Sequence, residues 1–471
     1  MPVEREQLEA DVLIVGAGPA GLATALHLAR LIREHNEKVA AGEAKGPALS
    51  AEGIYVLEKA REVGLHSLSG AILDPRALAE LVPDFEKRGA PLESPVTDDA
   101  VYFFTSSRAL KFPITPPPMR NHGNYVVSLS RLVKWLAVEA EKAGVNIFVG
   151  FAGSEVLYED GAVVGVRTDD KGVDRDSKAK DNYQPGYDLR AKVTVLAEGP
   201  RGSLTKQLIE KFHLDEGRNP QVYAVGIKEI WELPAGRFPV GRVIHTMGWP
   251  LGSEHYGGGW IYGLANDRVS IGLVAGLDYA NPSFDPQDTF QRFKTHPFMR
   301  RLLEGGKLVR YGAKTIPEGG FFSVPRCYTN GALIIGDSGS FLNSQRLKGI
   351  HMAMKTGMLA AETIFQALLA GDYSERTLVA FERLVERSWV RDELWKVRNF
   401  HQAFDHGLWR GMLHAALQFV TGGRGLHARY PTRPGHERLK KLSELRAERL
   451  EMLRPDGQIT FDQIPAGRYR L

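Results

Sequence analysis

This 471-residue sequence contains a single cysteine, Cys327. One thiol cannot close a disulfide within the chain, and it cannot supply the ligand set of a zinc site or an iron–sulfur cluster. Cys327 reads as a small, partly buried loop residue. Long apolar runs are missing too. No stretch of about 18 uninterrupted apolar residues occurs, so no transmembrane helix is expected. Met1 to Glu9 is polar and charged, so no secretory signal is expected there. A strong charge of one sign is also absent: 60 Lys and Arg stand against 56 Asp and Glu, a net charge of +4. That balance does not argue for nucleic acid, and no finger or homeodomain signature is visible. A mild basic excess does suit a surface facing acidic proteins or anionic lipid. Internal repeats and low-complexity tracts do not stand out.

What is present is a globular composition, 43% hydrophobic and 25% charged, on a chain long enough for two or three domains. Asp11 to Val15 is a short apolar run of branched residues, which reads as a buried strand. It leads into Gly16-Ala17-Gly18-Pro19-Ala20-Gly21, and then into Leu22 to Arg33, which has helical apolar spacing. Strand, glycine turn and helix open a dinucleotide-binding unit. The first glycine makes the turn, the second lets the backbone approach a pyrophosphate, and the third lets helix and strand pack closely.

An acidic residue should end the second strand and take the ribose hydroxyls. Glu58, closing Ile54 to Glu58, fits. It lies further from Gly21 than the usual spacing of about 20 residues. The polar stretch His35 to Gly53, read as an inserted loop, accounts for the excess. The second half of the chain points to FAD rather than NAD. Leu333 to Gly336 forms an apolar strand closed by Asp337, and a helix over Gly349 to Leu369 follows. A carboxylate there can hold ribitol hydroxyls, and the helix start can face the flavin pyrimidine. Lys348 and His351 stand beside that start and could tune the flavin potential. Arg131, at the start of an amphipathic helix over Ser128 to Gly144, is a second candidate for the phosphates.

Further strands are expected at Asn146 to Val149, Glu155 to Tyr158, Val163 to Thr168 and Val193 to Ala197, with a surface loop or long hairpin tip over Thr168 to Tyr187. Residues 221–321 are rich in glycine, aromatics and strand-like segments, and read as an inserted antiparallel sheet. The fold class is therefore α/β (α+β): a Rossmann-like FAD-binding domain of glutathione-reductase or p-hydroxybenzoate-hydroxylase type, carrying that insertion. The expected divisions are 1–220 and 322–400 for the FAD domain, 221–321 for the inserted domain and 401–471 for a helical C-terminal region. No catalytic acid–base dyad and no metal ligand set is read from the spacing.

Longer runs carry a family likeness. The stretch Val56 to Pro75, Asn121 to Tyr125, Val195 to Gly199, Gly248 to Leu251, Tyr256 to Gly258, Gly276 to Tyr279 and Leu347 to Ala361 resemble electron-transfer-flavoprotein:ubiquinone oxidoreductases, in order and spacing over about residues 10 to 465. The resemblance implies an FAD domain, a quinone-binding domain and a four-iron cluster domain. It implies electron transfer flavoprotein as donor and quinone as acceptor, with one-electron flavin steps. It implies FAD contacts at Lys59, Ser69, Gly70 and Gly199 beside the motif residues Gly16, Gly18, Pro19, Ala20, Gly21, Glu58, Gly336, Asp337, Lys348 and Gly349. Tyr256, Gly257 and Gly258 resemble the quinone site.

Membrane contact follows from the same resemblance. Gly407 to Val420 matches a family segment that dips into the bilayer, and its apolar residues flanked by Arg410 and Arg424 agree with that. The expected location is peripheral, on the cytoplasmic face of a bacterial membrane. The family also places His66 to Leu78 at the membrane, although this stretch is too polar here to say so unaided. One departure is plain. The family's cluster domain needs four cysteines, and this sequence ends at Leu471, soon after Gly457 to Phe461, where that domain should begin. A separate ferredoxin supplies the cluster, or the flavin receives electrons directly, or the chain is truncated; in each case no cluster is ligated by this sequence. The alternative activity is a flavin-dependent isoprenoid (geranylgeranyl) reductase, or an aromatic hydroxylase, on the same fold. An alternative of another class is a flavin-free docking module for a flavoprotein partner.

Overall fold

The computed structural model describes residues 4–67, 70–176, 178–424, 426, 428–445 and 452–461. The apolar run before the glycine turn lies in the strand Gln7–Val15, where Val12, Leu13 and Ile14 have no exposed surface. This strand pairs in parallel with Ile54–Glu58 on one side and Asp188–Leu196 on the other. Asn146–Val149 and Ala332–Ile334 extend the sheet in parallel beyond them. A parallel layer is covered on both faces, which explains why its strands are continuously apolar rather than alternating. The helices Pro19–Ala40 and Ile350–Ala370 pack closely on one another against it, with Leu129–Lys142 alongside the first.

The first helix runs on to Ala40, past Arg33, where the apolar spacing fades. A tertiary contact accounts for the extra length. The buried His35 ring meets Phe365 of the Ile350–Ala370 helix edge to face at 5.6 Å, and its Nε2 lies 3.1 Å from the Pro47 carbonyl. The expected loop therefore shrinks to residues 41–50. Within Thr168 to Tyr187, Lys171–Val173 and Ala179–Gln184 pair as a two-stranded antiparallel ribbon.

The second sheet has seven strands, in the spatial order Lys307–Pro317, Tyr223–Glu232, Arg268–Gly276, Gly257–Leu264, Arg242–Gly248, Asp98–Phe104 and Ala109–Lys111. The first five, from the expected insertion, are antiparallel. The last two come from outside 221–321, and Asp98–Phe104 joins Arg242–Gly248 in parallel. The expected boundary is corrected on this point. An Arg242–Gly248 edge would leave a row of backbone donors and acceptors open. Burial also holds the recruited strand: Phe104 has no exposed surface and stacks on His296 at 4.1 Å. No helix among the described residues is long and apolar enough to cross a membrane.

Candidate functional site

Between the two sheets lies a cavity of about 520 Å³. One end is made of backbone. Gly16 has φ +112°, and a Cβ there would sit 2.4 Å from the Ala197 carbonyl oxygen, so only glycine fits the turn. Its N–H donates to the Leu57 carbonyl at 2.8 Å, tying the turn to the second strand. Gly18 caps the following helix with no side-chain hydrogen bond, and Pro19 takes the first helical position. The helix N-terminus therefore presents backbone N–H groups and positive dipole rather than a capping side chain. Gly16, Gly18, Pro19 and Ala20 all line the cavity. Gly21 does not line it; a Cβ there would lie 2.0 Å from the Gly16 carbonyl oxygen, so this glycine permits close packing. Glu58 lines the same end, and its Oε1 accepts from the Ala60 N–H at 2.8 Å, which fixes the carboxylate.

The middle of the cavity carries Lys59, Gly70, Gly199, Asp337, Lys348 and Gly349, all expected from the sequence. Asp337 sits in the 3-10 turn Gly336–Gly339 that follows Ala332–Ile334. Burial pushes its carboxyl up to about 6, opposed by the Lys314 charge. Gly336 lies behind it at φ +59°, where a Cβ would approach that of Ala20 to 2.9 Å. Gly349 caps Ile350–Ala370, again with no side-chain cap. Lys348 Nζ donates to Asn121 Oδ1 at 2.5 Å and to the Arg346 carbonyl at 3.2 Å. Burial, then the Arg346 charge, lowers the Lys348 amine to about 8.

The loop carrying Lys348 is held by Glu393. This carboxylate accepts from Arg346 Nη1 at 3.1 Å, Arg76 Nη2 at 2.7 Å and Asn343 Nδ2 at 2.9 Å, and stands 3.0 Å from His351 Nε2. Burial opposes its charge. The His351 hydrogen bond and charge, with the two guanidiniums, outweigh that and hold it far below the usual carboxylate range.

The other end is made of side chains from the seven-stranded sheet. Lys228, Trp260, Tyr262, Lys314 and Glu318 line it, and none was singled out from the sequence. Lys228 Nζ donates to the Gly70 carbonyl at 2.9 Å, and burial lowers this amine to about 7. A lysine interrupting the apolar run Val222 to Ile230 was a signal available in the sequence. Glu318, between Pro317 and Gly319, offered none.

Of the remaining candidates, Arg131, Tyr256, Gly257 and Gly258 fall outside the lining. Arg131 is exposed, and Leu129 reaches the cavity instead. Residues two apart on a helix point in nearly opposite directions, so both cannot face the site. Ser69 lies outside the described residues. Tyr256, Gly257 and Gly258 stand one layer behind the wall. Tyr256 donates its hydroxyl to Glu318 Oε2 at 3.2 Å. Gly258 pairs with Val274, which lines the cavity. A Cβ at Gly257 would meet the Val274 carbonyl oxygen at 2.1 Å, so this glycine also serves strand packing.

Beyond Tyr256 the aromatic path continues. Its ring meets Phe404 at 5.4 Å and Phe400 at 6.3 Å, and a Cβ on Gly411 would touch Phe404. Gly411 belongs to the helix Leu408–Thr421, whose outer face is apolar. Trp409 is 65% exposed, Leu413 64% and Val420 81%. Phe103 stacks on Trp409 at 5.8 Å and pairs with Leu110, another exposed apolar residue. Arg398 staples the far end of this helix by donating to the Gly423 and Leu426 carbonyls.

Comparison with known proteins bears on this architecture. A family model described as "ETF-QO, ubiquinone-binding" matches residues 223–316, which span most of the large sheet. The mitochondrial electron transfer flavoprotein-ubiquinone oxidoreductase of Oryza sativa is 42% identical over 99% of this chain and 78% of its own length. The Pseudomonas aeruginosa enzyme of that name is 43% identical over 98% of this chain and 82% of its own length. The human mitochondrial protein is 42% identical over 98% and 74%. Among solved structures, a geranylgeranyl bacteriochlorophyll reductase-like protein from Thermoplasma acidophilum superposes with a TM-score of 0.61 at 16% identity, covering 89% of this chain and 99% of that one. A flavoprotein/dehydrogenase from Cytophaga hutchinsonii gives 0.55 at 16%, covering 92% and 91%. Those two likenesses speak to fold alone. The sequence relatives, matched across both sheets and the cavity between them, decide the family: this chain belongs to the electron transfer flavoprotein-ubiquinone oxidoreductases.

Proposed function

We propose that this chain is an FAD-dependent oxidoreductase that takes electrons from an electron transfer flavoprotein and passes them to a membrane quinone. One observation carries this. A single cavity joins the dinucleotide turn at Gly16–Gly18 to the sheet matched by the ubiquinone-binding family model. FAD, when bound, supplies the redox chemistry. The turn fits it: glycine geometry, an uncapped helix N-terminus and a neighbouring carboxylate are what a dinucleotide requires.

Gly16, Gly18, Pro19 and Ala20 would hold the pyrophosphate and Glu58 the ribose hydroxyls. Lys59, Gly70 and Gly199 border the nucleotide, and Gly21 and Gly336 shape the wall behind it. Asp337 would take the ribitol. Lys348 and Gly349, at the start of Ile350–Ala370, would face the pyrimidine and favour negative charge there. Tyr256, Gly257 and Gly258 flank the quinone end. The apolar face of Leu408–Thr421 would lie at headgroup depth, anchored by Arg410 and Arg424. On this reading the protein is peripheral, and the side proposed for it is the cytoplasmic face of a bacterial membrane. With Cys327 as its one, buried thiol, this sequence does not ligate a cluster. An iron–sulfur centre in the path would come from a separate ferredoxin or from a segment beyond the given residues; otherwise the flavin takes electrons directly. The isoprenoid-reductase alternative has only a shared fold behind it.

The test is anaerobic. The purified protein is mixed with reduced electron transfer flavoprotein, with and without added ferredoxin, and then with ubiquinone in liposomes. Flavin absorbance should bleach and then return on quinone addition. A colourless protein, or a bleached one that quinone cannot reoxidise, defeats the proposal.

A further inference from the structure

The cavity floor holds a carboxylic acid with no basic hydrogen-bond partner among the described residues. Glu318 lines the cavity and is 1% exposed. Its hydrogen-bond partners are hydroxyls, Tyr256 and Ser344. A buried carboxylate without a cation in direct contact is costly, so such a group tends to hold its proton. A purely structural position would be served as well by glutamine.

Behind Glu318 stands a file of ionisable groups leading outward. The His401 ring packs on Tyr256 at 4.3 Å. Its Nε2 lies 3.0 Å from Asp278 Oδ2, while its buried Nδ1 has no hydrogen-bond partner among the described residues. Arg438 Nη1 donates to Asp278 Oδ2 at 2.6 Å and to Asp405 Oδ1 at 2.7 Å. Asp405 is 28% exposed at its side chain, so the file ends at solvent. The triad Asp278, His401 and Asp405 has the spacing of a cation site, but Arg438 already bridges both carboxylates there.

Resting on the quinone-reduction reading, we propose that Glu318 is the proton donor to the quinone, and that His401 and Asp278, next to Tyr256, form the relay that reprotonates it from the surface at Asp405 and Arg438. Reduction of a quinone to a quinol takes two electrons and two protons. The electrons come from the family's flavin. At each protonation the Glu318 O–H bond breaks and an O–H bond forms on a quinone carbonyl oxygen. The carboxylate left behind takes a proton as an N–H bond of the His401 imidazolium breaks, and solvent at Asp405 restores that N–H.

The electrostatics agree with this geometry. Burial pushes the Glu318 carboxyl up to about 7, with the His401 charge opposing and the Asp278 charge assisting. Burial disfavours the His401 cation, but the Asp278 hydrogen bond and charge, with Glu318 and Asp405, raise its pKa on balance. Asp278 is buried yet held low by His401 and Arg438. Burial and Glu318 hold Tyr256 protonated, so it orients rather than donates. A donor with a pKa near the working pH is the efficient kind.

The sign follows from the donor form. Neutral Glu318 gives the proton, so quinone-dependent turnover should fall as pH rises through about 7. Glu318→Gln keeps the shape and loses the proton. It should bind flavin and quench flavin fluorescence with ubiquinone-1 as the native protein does. Its reduction by donor should be unchanged, and its reoxidation by ubiquinone-1 should slow by roughly a hundredfold or more. The alkaline limb near pH 7 should vanish, while a solvent deuterium effect on reoxidation should remain, because solvent must then supply the protons. Glu318→Asp should recover part of the rate with a displaced limb, and His401→Asn should slow reoxidation less than Glu318→Gln does. Native-rate reoxidation by Glu318→Gln with the same pH limb sinks the inference and leaves the quinone reading standing. Failure of the native protein to be reoxidised by ubiquinone-1 sinks both.

Discussion

The two ends of the cavity are built from different material. At the Gly16 end the wall is backbone, fixed by a left-handed φ and an approach to Ala197 that admits no side chain. At the Glu318 end the wall is side chains, and three of them, Lys228, Lys314 and Glu318, have ionisation displaced by desolvation. The backbone groups of the first end can grip a ligand but do not titrate. The second can hold, move or withhold protons and charge, at the expense of desolvating groups that prefer water. A division of labour follows: the backbone end holds the nucleotide, and the side-chain end adjusts what happens beside it.

The sharpest way to break this comparison is to put a side chain into the backbone end. Gly16→Val forces a β-branched residue to φ +112° and drives its Cβ into the Ala197 carbonyl. The expected cost is roughly 3 kcal/mol or more, over a hundredfold in FAD affinity. The protein should purify colourless with its thermal transition lowered. Full flavin occupancy in this variant, read from absorbance per chain, would show that the turn does not hold the nucleotide. Glu58→Ala comes next. It leaves the turn intact and removes one charged hydrogen-bonding group, worth about 1.5–3 kcal/mol, so FAD should bind roughly ten- to a hundredfold more weakly. Fluorescence titration of the apoprotein checks it.

The same contrast explains what could be read from the sequence. The backbone end is local: strand, glycine turn and helix are consecutive, so Gly16 and Gly18 could be named from spacing, and Glu58 from its place at the end of the next strand. The Asp337–Gly349 segment is nearly as local. The side-chain end is assembled from strands far apart in the chain, and pairing register decides which residues face inward. Lys228 meets Gly70, and Tyr256 meets Glu318, only after folding. Arg131 looked placed for phosphate because it opens a helix, but the helical phase gives that face to Leu129. The Asp98–Lys111 strands were missed for a related reason: their burial is settled by an edge that Arg242–Gly248 leaves open. His35 extends its helix through a contact with Phe365, which no local pattern could show.

Between the two ends lies the Lys348 loop, pinned by Glu393. Glu393→Gln keeps the shape and removes the charge that meets Arg76, Arg346 and His351. A loss of about 2 kcal/mol is expected at neutral pH. The folded pKa is depressed, so the stabilisation is complete above the unfolded value of about 4.3 and is lost as pH falls from there towards the folded one. Melting curves of native and variant protein should differ at pH 7 and converge only below about pH 4. A gap that stays constant through acid would mean that the carboxylate charge is not what holds the loop.

The smallest effect expected is on potential rather than binding. Lys348 stands at the uncapped start of Ile350–Ala370 and lines the cavity. Burial lowers its amine to about 8, so it is mostly charged at pH 7 and loses its charge above pH 8. A cation there favours a reduced, negatively charged pyrimidine. Lys348→Met should therefore leave FAD occupancy unchanged. It should lower the midpoint potential at pH 7 by about 20–45 mV for the two-electron couple, the equivalent of about 1–2 kcal/mol of Coulomb interaction. The gap should close as pH rises past about 8, because the native lysine is then neutral as well. Spectroelectrochemical titration of both proteins across that range would read the difference. If the gap is absent at pH 7, or persists unchanged at alkaline pH, Lys348 belongs with the inert backbone end rather than with the titratable one.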